Sequence, residues 1–314
     1  MKFLLSFIIV LLRLNANVES IDIVPLTNTH CNGIKILDQK KLSFDYIQGV
    51  KFSELSDVAY DTKSHKLYFI GDEGTLFTFY AKFKATKIET LKPMNASKLK
   101  NKKGKRFKKW KRDSEGLTLD GKGRLLISFE GKAKVGWFHK NTKRIGSLIR
   151  KYKLPKVLKS PYNYRSQNKS LEALAWHKRY GILTAAEWPL KRDDKKYQTI
   201  YALSGKKWHF KAEPEGRSGV VAMEVMDDGN ILVMERSFTG MLSPLVVTLK
   251  KVMIQKCKKK MCPTKVLAKM DNHQGWDLDN FEGLARVGKN RYVMVSDNGD
   301  NFFQKTLLLY FEVK

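Results

Sequence analysis

Residues 280–301 read NFEGLARVGKNRYVMVSDNGDN. Two short apolar runs flank the polar turn Gly288–Asn290, which is the sequence form of a β-hairpin. The pattern recurs in LSDVAYDTKSHKLYFIGDEG (55–74), SEGLTLDGKGRLLISFEG (114–131), LEALAWHKRYGILTAAEW (171–188) and SGVVAMEVMDDGNILVMERS (218–237). Hairpins recurring at intervals of roughly 50–60 residues point to a radial or stacked array. With strands dominating, the expected fold is an all-β propeller in a single domain, with five visible blades and a sixth if one copy has lost the pattern. Helical periodicity is absent from these runs, which are short and rich in β-branched and aromatic residues. KTLLLYFEV (305–313) reads as a terminal strand, and a strand near Ile21–Val24 is expected to close the ring beside it.

The acids of each copy sit at matching places. The first run opens on Glu115, Glu172 or Glu282, on Ser56 in the first copy and on Val221 in the fourth; the second ends on Asp72, Glu130, Glu187, Glu235 or Asp297. In a hairpin the start of the first strand and the end of the second share one end. Around a propeller axis these pairs should therefore form an acidic ring on one face. Packed like charges repel and raise one another's pKa, so the ring needs a neutralising partner: Arg236, lysines, backbone amides or a cation. A hard divalent cation, calcium above all, suits carboxylates drawn from separate blades. Equally, a carboxylate at a strand start can serve only to cap backbone N–H groups and lock blade to blade.

The totals set the surroundings. The 314-residue chain carries 60 Lys and Arg against 31 Asp and Glu, a formal charge of +29. That surface is either simply solvated or attracted to polyanions. The densest stretch, KLKNKKGKRFKKWKRD (98–113), contains Phe107 and Trp110 and leads directly into Glu115. Its composition is compatible with nucleic acid, yet for an exported protein the expected partner is anionic envelope polymer, lipid headgroups or a phosphorylated small molecule. Export is the expectation from the N-terminus. Lys2 is followed by an apolar run, Phe3–Leu12, too short to span a bilayer but of signal-peptide length. Residues 1–20 read as the leader, with cleavage after Ser20 or Ala16, and 21–314 as the domain. No second apolar stretch is long enough to cross a membrane, and an uncleaved anchor is the alternative. Cys257 and Cys262 are close enough to pair in an oxidising compartment; Cys31 is left over.

Several constellations are missing: no G-x-S-x-G elbow, P-loop, dinucleotide fingerprint or H-E-x-x-H occurs. Of six histidines, His273 alone lies near an acidic motif.

The series SEGLTLDGKGRLLISFEG, SLEALA, ILVMERS and DNFEGLA…VSDNGDNFFQKTLLLYF resembles the family described as esterase-like activity of phytase, over most of the chain. The resemblance implies a propeller-type fold and a phosphoric-ester hydrolase. It carries over to Glu115, Glu172 and Glu282 in the E-G-L element, to the pair Glu235-Arg236, and to Asp297-Asn298. On that reading Glu115, Glu172, Glu282 and Asp297 hold a divalent cation, Arg236 grips phosphate, and Glu187 or Glu235 acts as general base. The rival expectation is a non-catalytic propeller that binds an anionic ligand or envelope partner, its acids structural.

Overall fold

The computed structural model describes residues 17–26, 31–140, 143–166, 169–240 and 243–314. Five antiparallel blades surround one axis. Blade 1 comprises Leu55–Asp61, Lys66–Gly71, Thr75–Phe83 and Ile88–Lys98, running outward from the axis. Blade 2 runs through Ser114–Leu119, Leu125–Phe129, Lys134–Phe138 and Leu148–Lys151. Blade 3 is Leu171–His177, Gly181–Ala186, Tyr197–Ala202 and Lys207–Lys211; blade 4 is Gly219–Val225, Ile231–Ser237, Val246–Val252 and Thr264–Asp271. Blade 5 joins the two chain ends. Asn280–Gly288, Arg291–Asp297 and Leu307–Val313 come from the C-terminus, and Ile34–Leu42 pairs with the last of them. The five repeats are thus the five inner hairpins.

The closing strand differs from expectation. Ile21–Val24 forms no ladder; Ile34–Leu42 closes the ring, with Val18–Ser20 paired outside it. Ile21–Val24 instead packs on the apolar cluster between blades 4 and 5, where Ile23 is buried. The apolar run Phe3–Leu12, expected above to belong to a leader, lies outside the described residues. Among those described, no helix is long and apolar enough to cross a membrane.

Inner strands bury both faces, so they read as continuous apolar runs and not as alternations; Leu125–Phe129 is buried at every position. Apolar clusters fill the spaces between successive blades. Blade 1 adds a set of edge-to-face rings in which Phe52 meets Phe69 and Phe77, with centroids 6.1 and 4.9 Å away.

Near the axis, backbones approach closely. A Cβ on Gly116 would stand 2.7 Å from the Glu172 carbonyl oxygen, and one on Gly283 2.8 Å from Asp57 Cα. Only glycine fits there. Asp57 stitches three blades together: its carboxylate accepts from Val58 N (2.8 Å), Leu117 N (2.6 Å) and Leu284 N (3.0 Å). Burial pushes its pKa well up, against these three bonds.

Candidate functional site

Every inner strand carries a bulge at the same repeat position. In blade 1 Leu55 opposes Gly71 and Asp57 opposes Ile70, leaving Ser56 extra. Glu172, Val221 and Glu282 are the extra residues in blades 3, 4 and 5, and Glu115 lies in the shifted stretch of blade 2. A bulge re-aims a side chain and frees it from the ladder. In blades 2, 3 and 5 the residue so placed is a glutamate, Glu115, Glu172 or Glu282, whereas Val221 of blade 4 packs in the apolar cluster between blades 4 and 5.

The second ring position follows from register. Gly71, Phe129, Ala186, Glu235 and Ser296 occupy equivalent places, opposite Leu55, Ser114, Leu171, Val220 and Phe281. One residue further lie Asp72, Glu130, Glu187, Arg236 and Asp297. Blade 4 therefore contributes Arg236 to the ring, and Glu235 falls one residue short of it. A one-residue offset sends a strand side chain to the opposite face. Glu235 is 1% exposed, ion-paired with Lys250 at 3.1 Å and hydrogen-bonded by Glu213 N at 2.7 Å.

The ring has two carboxylate triads. Asp72, Asp113 and Glu115 form one; Glu130, Glu172 and Glu187 form the other, and within each a ligand oxygen per residue lies within 4.8 Å of the others. The exposures of Glu115, Glu130, Glu172 and Glu187 are only 4–8%. Burial, then neighbouring carboxylates, pushes Asp72, Glu115 and Glu172 well above the ordinary range. Burial also carries Glu130 to about 7. Glu187 is raised by burial and held back by Lys169, its ion-pair partner, and by Arg236.

A third cluster lies where blade 4 meets blade 5. Arg236 Nη1 donates to Glu282 Oε1 and Asn280 Oδ1. Asn280 Nδ2 donates to Glu282 Oε1 at 3.0 Å and to Asp297 Oδ2 at 3.2 Å. Burial and then the Glu282 charge push Asp297 to about 7. Burial works against the charge on Arg236, but Glu282, Glu187 and Glu172 outweigh it, and its pKa rises. Glu172 in turn feels Glu282, so the clusters face one another around a common axis.

Of the sequence candidates, Glu115, Glu172, Glu187, Arg236, Glu282 and Asp297 come to one mouth; Glu235 stays apart. Asp113, Lys169 and Asn280 join the mouth unforeseen. Asp113 and Asn280 each sit two residues before a bulge glutamate, Glu115 and Glu282, and that spacing was the available signal. His273 is exposed, in the short turn Asn272–Gln274, its N–H bonded to Asp271.

A cavity of about 1310 Å³ opens at the other end of the axis, among the hairpin turns, and not at the ring. Trp176 lies in its wall, close over Gly121. Its acids are already engaged: Lys140 pairs with Asp61 at 2.7 Å, and Glu224 accepts from Val225 N at 2.7 Å. The polarised, mutually repelling groups are at the ring, which is therefore the stronger functional candidate.

Residues 50–302 match the family Phytase-like, esterase-like activity of phytase. The chain belongs to this family. The match spans all five inner hairpins of this phytase-like propeller, ring residues included. No protein of curated function matches the sequence. Among solved structures, the fold is similar to catalytically inactive virginiamycin B lyase from Staphylococcus aureus with quinupristin, at TM-score 0.41 and 9% identity over 95% of this chain and 99% of that one. It is similar to the same degree (TM-score 0.41, 9% identity) to PQQ-bound aldose sugar dehydrogenase from Streptomyces coelicolor, over 92% and 100% of the two chains. Likeness that distant carries no argument about activity.

Proposed function

We propose that this phytase-like propeller is an exported hydrolase of phosphoric esters, working at the acidic mouth with divalent cations, calcium being the best match. The observation that carries the reading is the pair of carboxylate triads, each drawn from adjacent blades, one buried throughout and the other half-buried at Asp72 and Asp113. Carboxylates packed this way are neutralised by protons or by a cation, and an all-oxygen set selects a hard one. The donor atoms of Asp72, Asp113 and Glu115, and of Glu130, Glu172 and Glu187, fit that requirement. A bound divalent cation supplies charge neutralisation and polarisation of a phosphoryl oxygen.

The protein's own groups supply the rest. Arg236 has guanidinium donors beyond Nη1 with which to orient a phosphate. Asn280 holds Glu282 and Asp297 in place through its amide. Asp297, at about 7, exchanges a proton near neutral pH and suits the general base. Glu187 is less suited while Lys169 holds it, and Glu235 is set aside because Lys250 occupies it. The disulfide between Cys257 and Cys262 supports export to an oxidising compartment.

Calorimetry with calcium, paired with assays on a generic phosphomonoester and phosphodiester, tests the proposal. Expected are calcium binding that Glu172→Gln and Glu115→Gln weaken, and turnover lost on chelation. Turnover unchanged in the double variant would sink it. The low exposure of Glu130 and Glu187 favours one second reading, a binding propeller with structural acids. Calcium binding without turnover on either ester would decide for that.

A further inference from the structure

Eleven large apolar side chains stand exposed among the described residues, and their distribution is uneven. Eight lie at the acidic end of the propeller, Tyr197 at the start of a blade strand and the other seven outside the blade strands. The aromatic ones include Tyr46 (65%), Trp110 (56%), Tyr162 (82%), Phe238 (52%), Phe302 (96%) and Phe303 (89%). Topology puts them there. Tyr46 precedes the first inner strand, and Lys51 of the same loop pairs with Asp300 beside Phe302. Trp110 lies just before Ser114, its carbonyl oxygen against Gly131. Phe238 follows Ser237, and the backbone of Asn163, next to Tyr162, is bonded by Lys191 N beyond Glu187. Phe302 and Phe303 sit between Asp297 and Leu307. The remaining three exposed residues are Met94 and Val266 on outer edge strands and Met261 toward the opposite end.

Cations interleave with these rings. Lys98–Arg112 holds ten Lys and Arg and no acid. Arg106 and Arg112 are tied to Glu73, which holds the segment to this end. Lys111 Nζ lies 4.3 Å from the Trp110 ring centre. Lys108 and Lys109 are exposed, with no carboxylate in ion-pair reach among the described residues.

We propose that this face docks on the surface of an anionic phospholipid bilayer. Aromatic tips beside lysines are the composition that partitions into a headgroup layer, the rings entering the acyl boundary and the cations meeting phosphate. Apart from the adjacent pair Phe302 and Phe303, the rings come from separate loops and share no pocket. A soft interface accommodates such scattered tips, whereas a protein partner needs a complementary surface. The acidic mouth lies within this rim and so faces the lipid. No catalytic step enters the proposal, so it stands or falls independently of hydrolysis.

The test is vesicle co-sedimentation of the mature protein, with phosphatidylcholine alone and with phosphatidylcholine mixed with phosphatidylglycerol. Binding is expected only to the mixed vesicles and should weaken with salt. Phe302→Ser with Phe303→Ser should lower partitioning about tenfold, and Lys108→Glu with Lys109→Glu should also lower it. Met261→Ser should leave it unchanged. No binding to the mixed vesicles overturns the proposal. So does full retention by the phenylalanine variant, since a surface dependent on lysines alone is a general polyanion surface. All these positions are exposed, and a melting curve matched to the parent shows that each variant is folded.

Discussion

Arg236 of blade 4 donates to both Glu282 and Asn280 of blade 5, at the one ring position where the second strand brings a cation in place of a carboxylate. Blade 4 also lacks a bulge acid, having Val221. The ring is therefore an open arc of acids closed by a guanidinium.

Removing that cation takes away the charge partner of Glu282 and leaves Lys169 alone to offset Glu187. Breaking a buried pair from one side costs about 3–5 kcal/mol. Arg236→Met is expected to destabilise the protein by that order in urea denaturation. Arg236→Lys should recover part of the loss, because it restores charge without the planar fork. A loss within error for Arg236→Met would mean the ring acids are neutralised by other means.

Stability should depend on pH in a set direction. Glu130 and Asp297 both rise to about 7 on folding, from ordinary values of 4.5 and 3.8. The folded state then binds more protons than the unfolded state between those limits, so stability is greatest at acidic pH and falls as pH climbs toward 7. In chelator the melting temperature is expected to drop between pH 5 and about 7.5. Calcium should raise it more at the higher pH, where protons no longer compete for the carboxylates. Glu130→Gln should flatten the drop, and a melting temperature that rises over this interval would contradict the picture.

Asp57 acts through backbone. Replacing it by Ala strips acceptors from Val58, Leu117 and Leu284 N–H at once. Each buried donor left unpaired costs about 1–3 kcal/mol. Asp57→Ala should lose at least about 3 kcal/mol, and Asp57→Asn should lose less, since its amide oxygen still accepts. Hydrogen exchange at Leu117 and Leu284 reads the loss directly; unchanged protection there would show that the carboxylate is dispensable.

The Cys257–Cys262 disulfide closes a loop of sequence separation 5 on the outer side of blade 4. Chain-entropy reasoning assigns so short a loop about 2 kcal/mol. The double Ser variant is expected to lose that much in chemical denaturation while leaving unchanged the calcium binding proposed for the ring, which calorimetry checks.

The site was legible in part because a repeat places equivalent residues at equivalent points. Glu115, Glu172 and Glu282 stand at the same place in their copies, and the structure puts all three at the bulged stretch of their strands. Reading Glu235 as the fourth blade's ring acid failed by one residue. The ILVMERS run matches the other copies equally well in either offset, and only the pairing of Val220 with Glu235 and Gly219 with Arg236 chooses between them.

By itself, the sequence determined the hairpins, their fivefold recurrence and the end at which their acids gather, since alternating apolar runs and turn residues act over a few neighbours. Tertiary structure alone decided the rest. It brought Ile34–Leu42 to the last strand, Asp57 to Leu117 and Leu284, Lys169 to Glu187, and Asp113 to Asp72. These partners meet only when blades pack around the axis, and their register is set by hydrogen bonds between segments far apart in the chain.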